Sequence, residues 1–296
     1  MNEKQMERMH SGKGFIAALD QSGGSTPKAL RAYGIQEDAY KNEDEMFDMV
    51  HAMRSRIITD SAFRSERILA AILFENTMNR KVEGKYTGDY LWDVKGIVPF
   101  LKIDKGLADE ENHVKMLKPI PNLGERLDFA RDERHIFGTK ERSLILDYDE
   151  AAIRKVADQQ FELAEKVWSH GLVPIVEPEV DIHSPNKAKC EELLHDCFVE
   201  HLMALPEDTR LIFKLTIPTE ANLYQDLMSD PRVVRVVALS GGYTTEEANR
   251  LLSQNHGMIA SFSRALAQDL RVSQTDEEFT KTLYGAIESI YEASMK

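Results

Sequence analysis

Cysteine, excess basic charge and long apolar runs are all scarce in this chain of 296 residues. Its two cysteines, Cys190 and Cys197, lie seven residues apart in a helix-like stretch, so they cannot form a disulfide framework and favour a reducing compartment. Nowhere do about 18 apolar residues follow one another, and the first residues contain no apolar run of signal-peptide length. We therefore expect a cytoplasmic protein that is neither exported nor inserted into a membrane.

Acidic residues outnumber basic ones, with 50 Asp and Glu against 37 Lys and Arg and a net charge of -13. This field repels polyanions, which argues against strong sequence-independent binding to nucleic acid or to an anionic membrane. The sequence also lacks a P-loop, an HExxH motif, a GxSxG elbow and a dinucleotide-binding fingerprint. The histidines are scattered, and His195 and His201 are six residues apart, which is not a metal-ligand spacing on a helix. We expect no metal and no cofactor.

Eight short apolar runs bounded by turn residues are the main positive feature of the sequence. They are GFIAALD from Gly14, ILAAILF from Ile68, GIVPFLKID from Gly96, SLILD from Ser143, LVPIVEPEV from Leu172, LIFKLTI from Leu211, VVRVVALSG from Val233 and MIASFS from Met258. Each is too short for a buried helix and too apolar for a half-exposed strand, so we interpret them as strands of a parallel sheet covered on both faces. Polar segments of helical period separate them, as over 149–170, and a capping pattern opens a helix over 275–293.

Eight strand and helix alternations in roughly 250 residues predict an α/β protein with a (β/α)8 TIM barrel. We expect one domain over 1–296, because no linker, repeat or low-complexity tract divides the chain. An open doubly wound sheet is the competing architecture. The connections after Asp20 and Asp104 are long enough for extra helices.

Charged residues occur late in several of these apolar runs: Asp20, Lys102, Glu177, Glu179 and Lys214. Burying an unpaired charge costs several kcal/mol, so a fold retains one only with a partner or a use. Because the carboxyl ends of barrel strands converge on one face, we expect these five residues to meet in one pocket. Purely structural readings stay open: ion pairs between the lysines and Glu177, Glu179 or Asp20, and a turn or helix-capping role for Asp20.

Lys214 is the strongest catalytic candidate, because it lies within the apolar run LIFKLTI. Desolvation and neighbouring cations such as Lys102 and Lys140 favour a neutral amine, which attacks carbonyl carbons. Glu177 and Glu179 are two apart on a predicted strand and share one face, a spacing that supplies a general acid or base beside an orienting carboxylate.

Two loops rich in glycine and serine follow predicted strands, SGGS at 22–25 and SGG at 240–242. Backbone N–H groups in such loops, serine hydroxyls and a following helix N-terminus bind phosphate, and Arg264 would add a cationic wall. The sequence therefore predicts two phosphate sites, although ordinary connecting turns have the same composition.

Sequence blocks between about Gly14 and Leu266 resemble, in order, those of class I fructose-1,6-bisphosphate aldolases, specifically the short bacterial form. The blocks are FIAALDQSGGS, ILFENT, GIVPFLKIDKG, HIFGTKERS, PIVEPEV, FKLTIP, LSGGY and SFSRAL. The resemblance implies a (β/α)8 barrel that reversibly cleaves fructose 1,6-bisphosphate to dihydroxyacetone phosphate and glyceraldehyde 3-phosphate. It also implies a lysine Schiff base and no metal.

The resemblance also suggests roles for individual residues. Lys214 matches the Schiff-base lysine, Glu177 the proton-handling glutamate and Glu179 its partner carboxylate. Asp20 matches the aspartate that acts on the C4 hydroxyl. The remaining matches concern substrate binding: Lys140 and Arg142 polarise and position substrate, Ser22, Ser25 and Lys102 match one phosphate site, and Ser240, Gly241 and Arg264 match the other.

The chain departs from the family pattern at three places. Ser263 replaces a glycine before Arg264, and Glu141 replaces an aromatic residue after Lys140. The tail whose final tyrosine transfers protons in animal enzymes is missing, and Tyr291 lies in a predicted helix, so a carboxylate or bound phosphate would handle the C3 proton. A sister aldolase for tagatose 1,6-bisphosphate or fructose 1-phosphate, and an inactive phosphosugar-binding protein, remain alternatives. Whether the chain forms a homo-oligomer is left open.

Overall fold

Strands and helices alternate along residues 2–22 and 26–296, the residues that the computed structural model describes. The strands are β1 Phe15–Leu19, β2 Ile68–Phe74, β3 Lys81–Val82, β4 Lys85–Tyr86, β5 Val98–Lys102, β6 Val114–Lys115, β7 Gly138–Ile145, β8 Val173–Val180, β9 Leu211–Thr216, β10 Val233–Leu239 and β11 Ile259–Ala260. The helices are α1 Glu3–Ser11, α2 Thr26–Tyr33, α3 Glu43–Thr59, α4 Glu75–Met78, α5 Thr87–Asp89, α6 Leu123–Arg134, α7 Glu150–Ser169, α8 Lys187–Ala204, α9 Thr245–Leu252, α10 Arg264–Ala267 and α11 Asp276–Ser294. Short 3-10 turns cover Glu37–Ala39 and Asp226–Ser229, and a π-helical turn covers Tyr90–Val94.

The main sheet is a parallel barrel with the strand order β1-β2-β5-β7-β8-β9-β10-β11. The backbone N–H of Ala18 in β1 donates to the carbonyl of Phe262, just after β11, at 3.2 Å, so the first and last strands meet. This confirms the predicted (β/α)8 architecture, and the open doubly wound alternative is wrong. Outside the barrel order, β6 pairs antiparallel with β7, and β3 and β4 form a hairpin.

The predicted start of the fourth strand at Ser143 is wrong, because β7 begins at Gly138. The charged triplet of residues 140–142 interrupts the apolar pattern, although these residues are paired in the sheet. Glycine starts this strand because a Cβ there would lie 2.1 Å from the carbonyl oxygen of Val173. The two predicted helices were placed within one residue of α7 and α11, and the capping box at the start of α11 is formed by Thr275 and Glu278. The long connections carry α2, α3 and α6, as expected.

Apolar side chains pack against both faces of the barrel wall, one layer inside the barrel and one outside it. Inward-facing side chains fill the end where the strands begin, among them Phe100, Ile175 and Ile212. Helix α1 covers this end with Met9, whose carbonyl accepts a hydrogen bond from Arg235 Nε at 2.7 Å. Outward-facing side chains pack against the surrounding helices in a second, larger cluster. Among the helices described, none combines the length and apolarity needed to cross a membrane.

The alternation of side chains along each strand places charge above the inner apolar layer. Two residues after Phe100, Ile175 and Ile212 come three charged residues, which face the same way because successive side chains alternate between faces. These three residues are Lys102, Glu177 and Lys214. The strands therefore carry an apolar plug at one end of the barrel and an ionic site at the other.

Candidate active site

A cavity of about 770 Å³ opens at the carboxyl ends of the barrel strands. Its lining includes the predicted site residues that fall within the described chain: Asp20, Ser22, Lys102, Lys140, Arg142, Glu177, Glu179, Lys214, Ser240, Gly241 and Arg264. Ser25 lies outside the described residues. The fold thus brings together residues from both ends of the sequence, at the face where barrel enzymes build their active sites.

Four ionic side chains form the centre of this cavity. Lys140 Nζ lies 2.7 Å from Asp20 Oδ2 and 2.9 Å from Glu177 Oε2, and Lys214 Nζ lies 3.0 Å from Glu177 Oε1. All four residues are buried, with exposed fractions of 8%, 3%, 2% and 4% for Asp20, Lys140, Glu177 and Lys214. Two carboxylates and two ammonium groups balance in charge, which explains how the barrel tolerates them. Lys214 therefore does form the ion pair with Glu177 that was the alternative interpretation of this lysine.

The pairing controls the protonation of this cluster. Burial alone would raise the pKa of Asp20 and of Glu177, but the ammonium groups of Lys140 and Lys214 outweigh it and hold both below their usual values. Burial alone would lower the pKa of Lys140, but Asp20 and Glu177 raise it well above its usual value. At neutral pH the two carboxyl groups are therefore ionised and Lys140 is charged.

Two further ion pairs line the wall beside this cluster. Arg142 Nε donates to Glu179 Oε2, and Lys102 Nζ donates to Asp104 Oδ1 at 2.5 Å. Asp104 lines the cavity but was not among the predicted site residues. The signal was present in GIVPFLKID, because a residue two positions after Lys102 lies on the same face when the chain stays extended.

The loops after β10 and β11 meet at the opposite side of the cavity. Gly241 has φ +58°, and a Cβ there would lie 2.8 Å from Ile182 Cγ2, so only glycine fits without strain. The ideal Cβ position of Gly242 is 3.7 Å from Arg264 Nη2, which places the guanidinium beside this loop. The hydroxyls of Ser261 and Ser263 are buried there without a hydrogen-bond partner among the described residues. Ser261 was also missed, since a serine in an apolar strand carries no charge signal.

The model of a protein family described as "Fructose-bisphosphate aldolase class-I" matches residues 2–212. The chain belongs to the class I fructose-bisphosphate aldolases. It is 60% identical over 295 residues to "Fructose-bisphosphate aldolase class 1" of Clostridium acetobutylicum, and the match covers 100% of both chains. Family membership confirms the resemblance and the expected activity: a lyase that cleaves fructose 1,6-bisphosphate through a Schiff base in glycolysis.

Solved structures support the fold of this aldolase. A Plasmodium falciparum fructose-bisphosphate aldolase, crystallised with TRAP and an inhibitor, has a TM-score of 0.72 at 22% identity, over 99% of this chain and 94% of that one. The Corynebacterium glutamicum protein Cgl0159 has a TM-score of 0.53 at 11% identity, over 99% and 92% of the two chains. The segment that matches the family model ends two residues before Lys214.

The structure shows the surroundings of Glu141 and Tyr291, at two of the places where this aldolase departs from the family pattern. Glu141 is buried, and burial raises the pKa of its carboxyl to about 8. Behind it, Gln160 of α7 donates to the carbonyl of Glu141 at 3.1 Å and accepts from the backbone N–H of Glu177 at 3.2 Å. Tyr291 packs under the guanidinium of Arg67, 4.3 Å from the ring centre, and does not line the cavity.

Two histidines of the aldolase pair with exposed aspartates. His195 Nε2 lies 2.9 Å from Asp226 Oδ1, and His201 Nε2 lies 3.0 Å from Asp158 Oδ1. Within residues 2–22 and 26–296, no group of three or more His, Cys, Asp or Glu side chains is arranged to hold a metal ion.

Proposed function

We propose that Lys214 is the Schiff-base nucleophile of this aldolase, with Glu177, Glu179, Asp20 and Lys140 as the groups that move and stabilise charge around it. The observation that carries this proposal is the position of Lys214. It is a buried lysine in an open cavity whose Nζ lies 3.0 Å from a carboxylate that also contacts Lys140. A lysine in this setting can exchange its proton with Glu177 and attack the C2 ketone of the sugar.

The first step forms the bond between Lys214 and C2. The neutral amine adds to the ketone to give a carbinolamine, and loss of water gives a protonated imine. Glu177 takes the proton from the Lys214 ammonium and returns one to the departing hydroxyl, since its two oxygens face the two lysines at 3.0 and 2.9 Å. Glu179, which is paired with Arg142, is the second carboxylate on the same face of β8.

The second step breaks the C3–C4 bond. Its electron pair moves to C3, and the protonated imine accepts the charge as a neutral enamine, while C4 becomes the aldehyde carbon. Asp20 takes the proton of the C4 hydroxyl, and the charged Lys140 at 2.7 Å stabilises the developing oxyanion. A carboxylate or the bound phosphate then gives the enamine a proton at C3, and water cleaves the imine to release dihydroxyacetone phosphate and free Lys214. The reverse reaction uses the same groups.

The two ends of the cavity hold the phosphates in this proposal. Ser240, Gly241 and Arg264 form one site, while Ser22, Lys102 and Arg142 form the other. Strand β10 neighbours β9, which carries Lys214, whereas β5 is separated from β9 by β7 and β8. The site after β10 therefore suits the phosphate on C1, next to the imine carbon, and the Lys102 side suits the phosphate on C6. Holding both ends fixes the sugar in a reactive orientation.

The test is reductive trapping with dihydroxyacetone phosphate and borohydride, followed by peptide mass mapping. We expect label on Lys214 and loss of activity; label on another lysine, or none, would overturn the proposal. Lys187 is a matched control because it is also buried and paired, with Nζ 2.5 Å from Glu191 Oε1, but it does not line the cavity. It should stay unlabelled.

The remaining alternatives are separated by kinetics. Ratios of kcat/KM for fructose 1,6-bisphosphate, tagatose 1,6-bisphosphate and fructose 1-phosphate decide the preferred sugar. Turnover in excess EDTA would exclude both an inactive binding protein and a zinc-dependent mechanism. The proposal also includes action in the cytoplasm, which the free thiols of Cys190 and Cys197 support.

A further inference from the structure

Asp104, directly after β5, joins three parts of the cavity wall. Its Oδ1 accepts hydrogen bonds from Lys102 Nζ at 2.5 Å and from the backbone N–H of Gly106 at 3.1 Å. Its Oδ2 accepts from the backbone N–H of Arg142 in β7 at 3.4 Å. The side chain is only 3% exposed, whereas that of Lys102 is 14% exposed. Neither the family resemblance nor the proposed steps assigns a role to this carboxylate.

These contacts restrict the conformation of the Lys102 side chain as well as that of Asp104. Lysine has a flexible four-carbon stem, and fixing it costs side-chain entropy. The ion pair with Asp104 fixes the stem before a ligand arrives, so binding no longer has to order it. The ammonium has no second hydrogen-bond partner among the described residues, which leaves two of its three donors for an anion in the cavity.

We propose that Asp104 is a positioning residue that holds Lys102 ready for the phosphate on C6 and thereby makes the enzyme favour bisphosphates over monophosphates. This inference rests on the proposed function, because it takes the Lys102 side of the cavity as the C6 end. Asp104 touches no reacting atom and acts through Lys102. Its bonds to Gly106 and Arg142 keep the carboxylate in place, so the orientation of the lysine follows from the barrel wall.

Two opposite outcomes follow from removing the carboxylate. If Asp104 only weakened the positive charge of Lys102, the variants Asp104→Asn and Asp104→Ala would bind the bisphosphate more tightly. If it positions Lys102, their KM for fructose 1,6-bisphosphate rises about tenfold, the loss expected for one poorly placed charge-assisted hydrogen bond. The kcat/KM for fructose 1-phosphate, which has no second phosphate, then stays within about twofold of wild type.

The experiment measures both sugars in Asp104→Asn, Asp104→Ala, Lys102→Met and the double variant. Lys102→Met keeps Asp104 and its backbone bonds, so it tests the same selectivity if the Asp104 variants do not fold. We expect each single variant to lose selectivity for the bisphosphate, and the double variant to lose no more than Lys102→Met alone. Equal losses on both sugars, a lower KM for the bisphosphate, or fully additive losses would overturn the inference.

Asp93→Asn is the matched control, since Asp93 pairs with Lys85 at 2.8 Å on the surface, away from the cavity. It should leave both sugars unaffected. Borohydride trapping on Lys214 in Asp104→Asn tests the proposed function separately from the role of Asp104. Trapping with unchanged selectivity would overturn the role of Asp104 alone, whereas failure to trap Lys214 in the wild type would overturn the proposed function.

Discussion

Glu177 bridges two lysines, with Oε2 2.9 Å from Lys140 Nζ and Oε1 3.0 Å from Lys214 Nζ. Lys140 in turn reaches Asp20 at 2.7 Å. The four groups therefore form one coupled unit in which each carboxylate depends on Lys140. Because all are buried, removing one member leaves an uncompensated charge rather than simply a missing contact.

Lys140→Met should strongly impair both activity and stability. Asp20 and Glu177 would then share only Lys214, and breaking a buried ion pair costs about 3–5 kcal/mol. We expect kcat to fall by at least about a hundredfold, because a charge-stabilising group and its proton path are lost. Steady-state kinetics and denaturant unfolding check the two effects. Lys85→Met, which removes an exposed lysine paired with Asp93, is the control; equal behaviour of the two variants would contradict the prediction.

Asp20 should contribute stability that disappears in acid. Burial raises the pKa of Asp20, but Lys140 and Lys214 more than compensate, so its folded pKa lies below its unfolded value of about 3.9. Such a group stabilises the fold fully above its unfolded pKa, and this stability is lost as the pH falls through the folded pKa. Denaturant midpoints between pH 7 and pH 2 should fall less steeply at the acid end for Asp20→Asn than for wild type. Parallel curves would mean that the pKa of Asp20 is the same in the folded and unfolded states, which would contradict the prediction.

Gly241→Ala should weaken binding at the C1 phosphate site. The residue has φ +58°, and the added methyl would lie 2.8 Å from Ile182 Cγ2, so the loop must move. We expect a higher KM for both fructose 1,6-bisphosphate and fructose 1-phosphate, since both sugars carry this phosphate. Gly84→Ala is a matched control, because φ there is +84° but no atom lies within 4 Å of the new Cβ. Backbone strain alone would affect the stability of both variants, while only Gly241→Ala should change KM.

Much of the barrel could be predicted from apolar runs, because a strand covered on both faces has to be apolar on both. The exception is β7, whose charged residues at 140–142 belong to the site and the wall behind it. In β7 the active site needs charged residues, so the first half of the strand lacks the apolar pattern by which the other strands were recognised. The start of this strand was therefore placed at Ser143, five residues after its actual start at Gly138.

The convergence of the site residues could also be predicted, because strand ends share one face of a barrel. The ion-pair partner of each site residue could not be predicted, because it depends on the register between neighbouring strands. Arg142 lies beside Glu177 in the sheet, yet its guanidinium bonds to Glu179. Asp104 was missed because an aspartate directly after a strand resembles an ordinary turn residue. Ser261 was missed because a single uncharged serine in an apolar run gives no sign of a functional role. That Asp104 and Ser261 both face the cavity is seen only once the strands are placed side by side in the barrel.

Glu141 should make the aldolase less stable as the pH rises toward 8. Burial raises the pKa of this carboxyl from 4.5 to about 8, with the Thr139 hydroxyl opposing the shift. Between these values the folded state keeps a proton that the unfolded chain loses, so stability falls by up to about 1.4 kcal/mol per pH unit and levels off above pH 8. Glu141→Gln removes this proton and should become progressively more stable than wild type from pH 5 to pH 8. Denaturant unfolding across that range measures the difference, with Glu162→Gln on the exposed face of α7 as the control. A constant difference between Glu141→Gln and wild type would mean that Glu141 is ionised in the folded enzyme throughout.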